Sequence, residues 1–178
     1  MNRFVALAAI ALSIFANAEA CADPARVKVA DGAVSFVVPA GWVHDKEPGF
    51  VIYIEPTLQD EDWSRCAVKV QKGPNPQGLD QETFNAQLAK RTAKNILSPG
   101  DDLISFSNTG FVGSSRVLAF SYVSERGTAF NVRQFMVVEG KSATVIQADC
   151  VTADPEAADP AFVKGSTAFL NSAAIDLR

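Results

Sequence analysis

Histidine is almost absent from this 178-residue chain, which has one, and cysteine, methionine, tyrosine and tryptophan are scarce at three, two, two and two. One histidine excludes a His-rich metal site, and any Ser-His-Asp or Cys-His arrangement has to use His44. Three cysteines are too few for a disulfide-dense mini-scaffold. A basic excess is missing too, since 16 Lys plus Arg face 20 Asp plus Glu for a net charge of −4. Without that excess the chain has no means of neutralising a phosphate backbone, so no nucleic-acid partner is expected. With 20% charged and 48% hydrophobic residues, the composition is not that of a disordered chain. The apolar run at residues 4–15 (FVALAAIALSIF) has twelve residues, where a membrane-spanning helix needs about 20.

What is present begins with an export address. Arg3 precedes that run, and the small residues Ala16-Asn17-Ala18-Glu19-Ala20 follow it, in the order of a secretory signal peptide. Residues 1–20 are therefore read as a signal, residues 21–32 as a leader and residues 33–178 as one domain, placed in the periplasm or secreted. Cleavage after Ala18 and after Ala20 both fit the A-x-A pattern. The second would start the mature chain at Cys21, a candidate lipidation site. Ala18 stands where a bacterial lipobox normally has Leu, however, and Glu19 adds a charge. Membrane attachment is expected only if Cys21 is lipidated. Removing the signal takes away Arg3 and Glu19, so the net charge stays at −4.

Export puts the chain in a compartment where disulfides persist. Cys66, Val68 and Val70 share one face of a strand-like alternation, and Ile146, Ala148 and Cys150 share one face of another. Both cysteines then point inward and can pair if their strands are neighbours, closing a long loop worth roughly 3–5 kcal/mol. Two unpaired buried thiols are the alternative.

Strands are expected at residues 33–38, 50–54, 66–71, 103–107, 116–123, 129–138 and 142–148, with the Pro- and Gly-rich stretch 72–79 ending the third. Residues 80–97 read as a helix. Asp80 is its N-cap, Leu79 and Phe84 form a hydrophobic staple, and Phe84, Leu88 and Ile96 make a stripe with Thr92 in the gap. Asp159-Pro160 opens a second helix whose apolar face carries Phe162, Phe169, Leu170 and Ala173. Glu125-Arg126-Gly127 and Glu139-Gly140 are hairpin turns. Residues 129–138 are apolar on both faces, which calls for cover on both sides of the sheet. The expected fold is α+β, a mostly antiparallel sheet covered by helices on both faces.

This order of elements resembles the bacterial DcrB-like branch of the Mog/PsbP-like α/β/α sandwich family. The carriers are Val34-Ser35-Phe36-Val37-Val38-Pro39-Ala40-Gly41-Trp42, the helix start Leu79-Asp80-Gln81-Glu82-Thr83-Phe84, the strand entry at 110–124, the hairpin at 130–141 and the closing helix with Phe162 and Phe169. They are packing and turn features that cover about residues 33–176. The resemblance implies a non-enzymatic accessory, chaperone or adaptor role, exercised through a sheet surface or groove. It carries no binding residue to a numbered position, and a cysteine pair is not part of the family pattern.

The templates for chemistry fail one by one. His44 follows Gly41-Trp42-Val43 at a turn, and Gly113-Ser114-Ser115 lacks the second glycine of a nucleophile elbow. Gly140-Lys141-Ser142 has Phe135 where a phosphate loop needs glycine. Asp60-Glu61-Asp62 and Asp101-Asp102 lack the spacing of a calcium loop and read as solvated loops. No metal or cofactor is expected. Trp63, beside acidic residues, is a candidate partner anchor. The expectation is an exported, non-enzymatic accessory protein acting on an envelope protein. The alternatives are a carrier of a small apolar ligand or lipid between sheet and helix, and a hydrolase using His44.

Overall fold

The computed structural model describes residues 26–46, 51–56, 64–152 and 159–175. The signal peptide, Cys21, the acidic run 60–62 and Trp63 lie outside the described residues.

Two antiparallel meanders build the main sheet. One comprises β3 (Trp42–Lys46), β4 (Val51–Pro56) and β5 (Arg65–Pro74); the other comprises β6 (Asp102–Val112), β7 (Ser115–Val123), β8 (Ala129–Glu139) and β9 (Ser142–Thr152). Tight turns with left-handed glycines, Gly127 and Gly140 at φ 83° and 57°, make the last two hairpins possible. The meanders join where β5 pairs with β9, from Arg65↔Val151 to Pro74↔Ser142, giving the order β3-β4-β5-β9-β8-β7-β6. A second, three-stranded sheet has the order β1-β2-β10, with β1 Arg26–Val29, β2 Val34–Val37 and β10 Ala174–Ile175.

Strand alternation sorts the side chains of the large sheet onto two faces. The inner face carries Cys66, Val68, Val117, Phe135, Val137, Ile146, Ala148 and Cys150. It packs against Val27, Val29, Val34 and Phe36 of the small sheet and against Phe162, Phe169 and Leu170 of α2 (Pro160–Asn171). Phe36 and Phe169 are both fully buried, with ring centroids 5.1 Å apart. Each such ring contributes about 1.5–3 kcal/mol through burial. The outer face carries Leu118, Phe120 and Val132, covered by Leu88, Ile96 and Leu97 from α1 (Gln81–Ala89) and the segment after it.

The expected helical layer on each face is therefore not what the chain builds. The antiparallel sheet is there, but the molecule is a sheet protein with only two α-helices among the described residues. On the inner face the small sheet shares the cover with α2, because two-sided burial demands an apolar partner and not specifically a helix. On the outer face α1 spans nine residues and has no fully buried side chain.

Side-chain amides hold α1 in place. Beyond Phe135↔Val117 the register of β8 with β7 stops, while β8 continues to Glu139. Gln81 fills the gap, its Oε1 accepting from Val138 N at 3.0 Å and its Nε2 donating to Met136 O at 2.9 Å. Asn85 does the same at the start of β7, donating to Ser114 O and accepting from Arg116 N. These amides satisfy backbone groups as a neighbouring strand would.

The helix expected over 80–97 ends at Ala89, and a separate 3₁₀ turn, Ala93–Asn95, opens at Thr92 with a capping box. Thr92, the gap in the apolar stripe, is where the chain breaks. Asp80 does cap α1, its carboxylate accepting from Thr83 N at 2.8 Å. Asp159 caps α2 by accepting from Ala161 N at 2.9 Å, with Pro160 in the first turn. Two further boundaries differ from expectation. Part of the leader, Arg26–Val29, is strand β1, with Val27 and Val29 buried. Strand β5 runs on through Gly73 to Pro74, paired with Ala143 and Ser142, because the β4 pairing has ended at Val51↔Lys69 and β5 is there an edge, where a missing N–H removes no ladder bond.

Candidate functional site

The junction of the meanders carries most of the distinctive chemistry. Cys66 and Cys150 are register partners on the inner face, with Cα atoms 3.9 Å apart, and their sulfurs are bonded at 1.97 Å. Both are buried beneath α2, and Cys150 Sγ contacts Ser166 O at 3.9 Å. The bonded sulfur has no hydrogen to donate, so this contact is packing.

One residue along β9, the outer face carries Asp149, only 5% exposed. Its Oδ1 receives Lys69 Nζ at 3.2 Å from the adjacent strand and Gln147 Nε2 at 3.1 Å from its own. Burying a carboxylate is tolerable only with such partners, and removing Lys69 alone would leave the charge stranded. The outer face also carries a row of rings, with Tyr122 stacked 4.9 Å from Phe130 and 6.1 Å from Phe120. Burial, then the charges of Asp101 and Asp149, push the Tyr122 phenol above its ordinary value. Sequence reasoning missed this cluster. Its one signal was an acid inside the apolar strand segment Val145-Ile146-Gln147-Ala148-Asp149-Cys150.

His44 lies elsewhere. It is exposed on the edge strand β3, opposite Ile54, which in turn lies opposite Cys66. That register places His44 on the face of the disulfide, so it and Asp149 project to opposite sides of the sheet. Among the described residues no group of three His, Cys, Asp or Glu is placed to hold a metal ion. No helix among them is long and apolar enough to cross a membrane.

The other edge strand, β6, is the most apolar exposed feature. Leu103, Ile104 and Phe111 are 46%, 64% and 53% exposed. The register with β7 slips between Leu103 and Ser105 and between Ser107 and Gly110. The Arg116 guanidinium sits 4.8 Å from the centre of the Phe111 ring, a favourable cation–π contact.

No family model and no curated protein matches the chain. Solved structures do. LpqN of Mycobacterium tuberculosis, described as involved in cell envelope biogenesis, superposes with a TM-score of 0.54 at 12% identity over 86% of this chain and 90% of that one. A Bacteroides thetaiotaomicron protein matches with a TM-score of 0.44 at 12% identity, and there the match spans 86% of this chain but only 48% of the other. At these identities the likeness to LpqN is one of fold: the chain shares its overall arrangement with a protein involved in cell envelope biogenesis.

Proposed function

We propose that this chain is an exported, non-enzymatic binding protein that acts on a protein partner in the cell envelope. The observation that carries the reading is the buried Cys66–Cys150 disulfide that joins the two meanders, a bond that belongs to an oxidising compartment. The fold shared with LpqN supports the envelope assignment by analogy. The further kinship with the DcrB-like branch rests on the sequence carriers described above. For the partner, the exposed apolar side chains of β6 supply the contact surface, because an edge strand offers unpaired backbone groups beside them. No cofactor enters this role.

Two measurements test it. Fractionation of cells expressing the full chain should find the mature protein outside the cytoplasm with both Cys66 and Cys150 protected from alkylation. A photo-crosslinking residue placed at Ile104 or Phe111 should capture one envelope protein reproducibly, and the same residue at His44, exposed on the opposite edge strand β3, should not. A cytoplasmic, reduced protein would overturn the compartment. Equal capture at His44 would overturn the surface.

A further inference from the structure

Arginine is an unusual residue at the middle of a sheet. Arg133 occupies such a place on β8, flanked on one side by β7 and on the other by β9. Its register partners are Ala119 and Ala148, so neither neighbouring strand puts a large side chain beside it. Ser107 continues that row on β6. The next row reads Cys150, Asn131, Ser121 and Ser105, with the Ser121 and Ser105 hydroxyls 2.6 Å apart. By strand alternation all of these lie on the inner face, which elsewhere is the apolar core. One cation thus stands among small and hydroxylated side chains.

The guanidinium is poorly compensated there. Arg133 is half-buried, and its one hydrogen bond is donated by Nη1 to Val132 O, the carbonyl before it on the same strand, at 3.1 Å. The ion pairs among the described residues are Lys69–Asp149 and Lys72–Asp31, and neither involves Arg133. The closest acid along β9, Asp149, projects to the opposite face. Burial alone moves the guanidinium's proton affinity, pushing its pKa down from the ordinary value. Four of its five N–H donors have no protein acceptor among the described residues, and their planar fork matches two oxygens of one anion.

We propose that Arg133, with the Ser121, Ser105 and Asn131 side chains beside it, forms a binding site for an anionic group, a carboxylate or a phosphate. The anion takes two guanidinium N–H groups side by side, and the Asn131 amide and a serine hydroxyl donate to its remaining oxygens. This site takes one hydroxyl, Ser105, from β6 but none of the exposed Leu103, Ile104 and Phe111 side chains that form the surface proposed above. Its failure would leave that reading intact.

The test is an NMR titration of the mature chain with inorganic phosphate and, separately, with acetate. Saturable shifts of the Arg133 Nε–Hε signal and of the Ser121 and Asn131 amides are expected. Arg133→Gln should weaken binding by about tenfold or more, and Arg133→Lys, which keeps the charge but loses the fork, should weaken it less. Asn131→Asp sets a carboxylate two residues away on the same face and so fills the site from within. It should abolish the titration while raising the melting temperature, a result that misfolding cannot imitate. Vesicles with phosphatidylglycerol, against phosphatidylcholine alone, distinguish the source. Binding to the anionic vesicles that free phosphate displaces assigns the site to a lipid headgroup. Titration by the free ions without vesicle binding assigns it to a soluble anion. No saturable shift at Arg133 with either ion, or shifts that persist in Arg133→Gln, would overturn the proposal.

Discussion

Breaking the Cys66–Cys150 bond tests the energetic account of the sheet most directly. The bond joins residues 84 apart in sequence, across the pairing that unites the two meanders. In the unfolded chain it removes the freedom of an 84-residue loop, and the chain-entropy relation sets the resulting stabilisation at about 4.5 kcal/mol. Against a total of about 5–15 kcal/mol for a typical domain, that is a large share. The perturbation is Cys66→Ala with Cys150→Ala, checked by reduction of the unaltered chain, which leaves both sulfurs in place.

Equilibrium urea unfolding is the assay. With a slope of about 2 kcal/mol per molar, the midpoint should fall by about 2 M in both cases, slightly more for the double alanine variant, which also leaves a small void. Refolding should slow as well, because the seam must then close a long loop without help. Two results would refute the reasoning. A loss below about 1.5 kcal/mol would show that the unfolded chain is already compact about this junction. A large loss in the alanine variant with almost none on reduction would show that the sulfurs act by packing and not as a tether.

Gly165 lies inside α2 with Trp42 against it, and a Cβ there would stand 2.8 Å from the Trp42 ring. Gly165→Ala should therefore cost about 1–3 kcal/mol in thermal melts despite alanine's better helix propensity, and Trp42→Leu should relieve it. Gln81→Ala strips partners from Met136 O and Val138 N and should cost about 2 kcal/mol in urea, and Gln81→Glu, whose second oxygen would face the Met136 and Asn85 oxygens that Nε2 now serves, should cost at least as much. The bond from Thr83 N, first of all, holds the Asp80 carboxyl below its ordinary range. Its cap is thus fully effective above that range and is lost as pH falls through the lowered value. Asp80→Asn should flatten the acid limb of a stability–pH curve, and an unchanged limb would contradict the assignment.

Period-two patterning made the long strands legible, and the shared faces of Cys66 with Val68 and of Cys150 with Ile146 were readable before any pairing was known. Strand β1 carried the same signal, Arg26-Val27-Lys28-Val29, but its turn hides it. Ala30 and Asp31 both adopt left-handed backbone, φ 51° and 56°, which neither residue type advertises to the extent that glycine does. The helix over 80–97 was overextended because a stripe at helical spacing cannot show that Thr92 will cap a new turn. Lys69 with Asp149, and Arg133 between two alanines, depend on which strands become neighbours. The first resides in the long-range β5–β9 pairing, and the second in the register of the β7–β8 and β8–β9 hairpins, whose turns were legible but whose facing residues were not.

The placement of the disulfide links the fold to its compartment. Within either meander successive strands are neighbours in sequence, so each hairpin closes a short loop at little entropic cost. The β5–β9 seam is different: it is the one pairing in the large sheet whose strands are separated by four other elements of regular structure or more. Opening it would expose the unpaired backbone edges of the ten-residue β5 and the eleven-residue β9, long edges prone to pairing with other chains. A tether at Cys66↔Cys150 sits near the open end of that seam, one pair in from Arg65↔Val151, where fraying would begin. In a reducing compartment the same two residues would be buried thiols that hold nothing together. The cysteine pair thus suits this long-range sheet junction to an oxidising compartment. It stabilises the sheet that carries both the proposed β6 surface and the proposed Arg133 site.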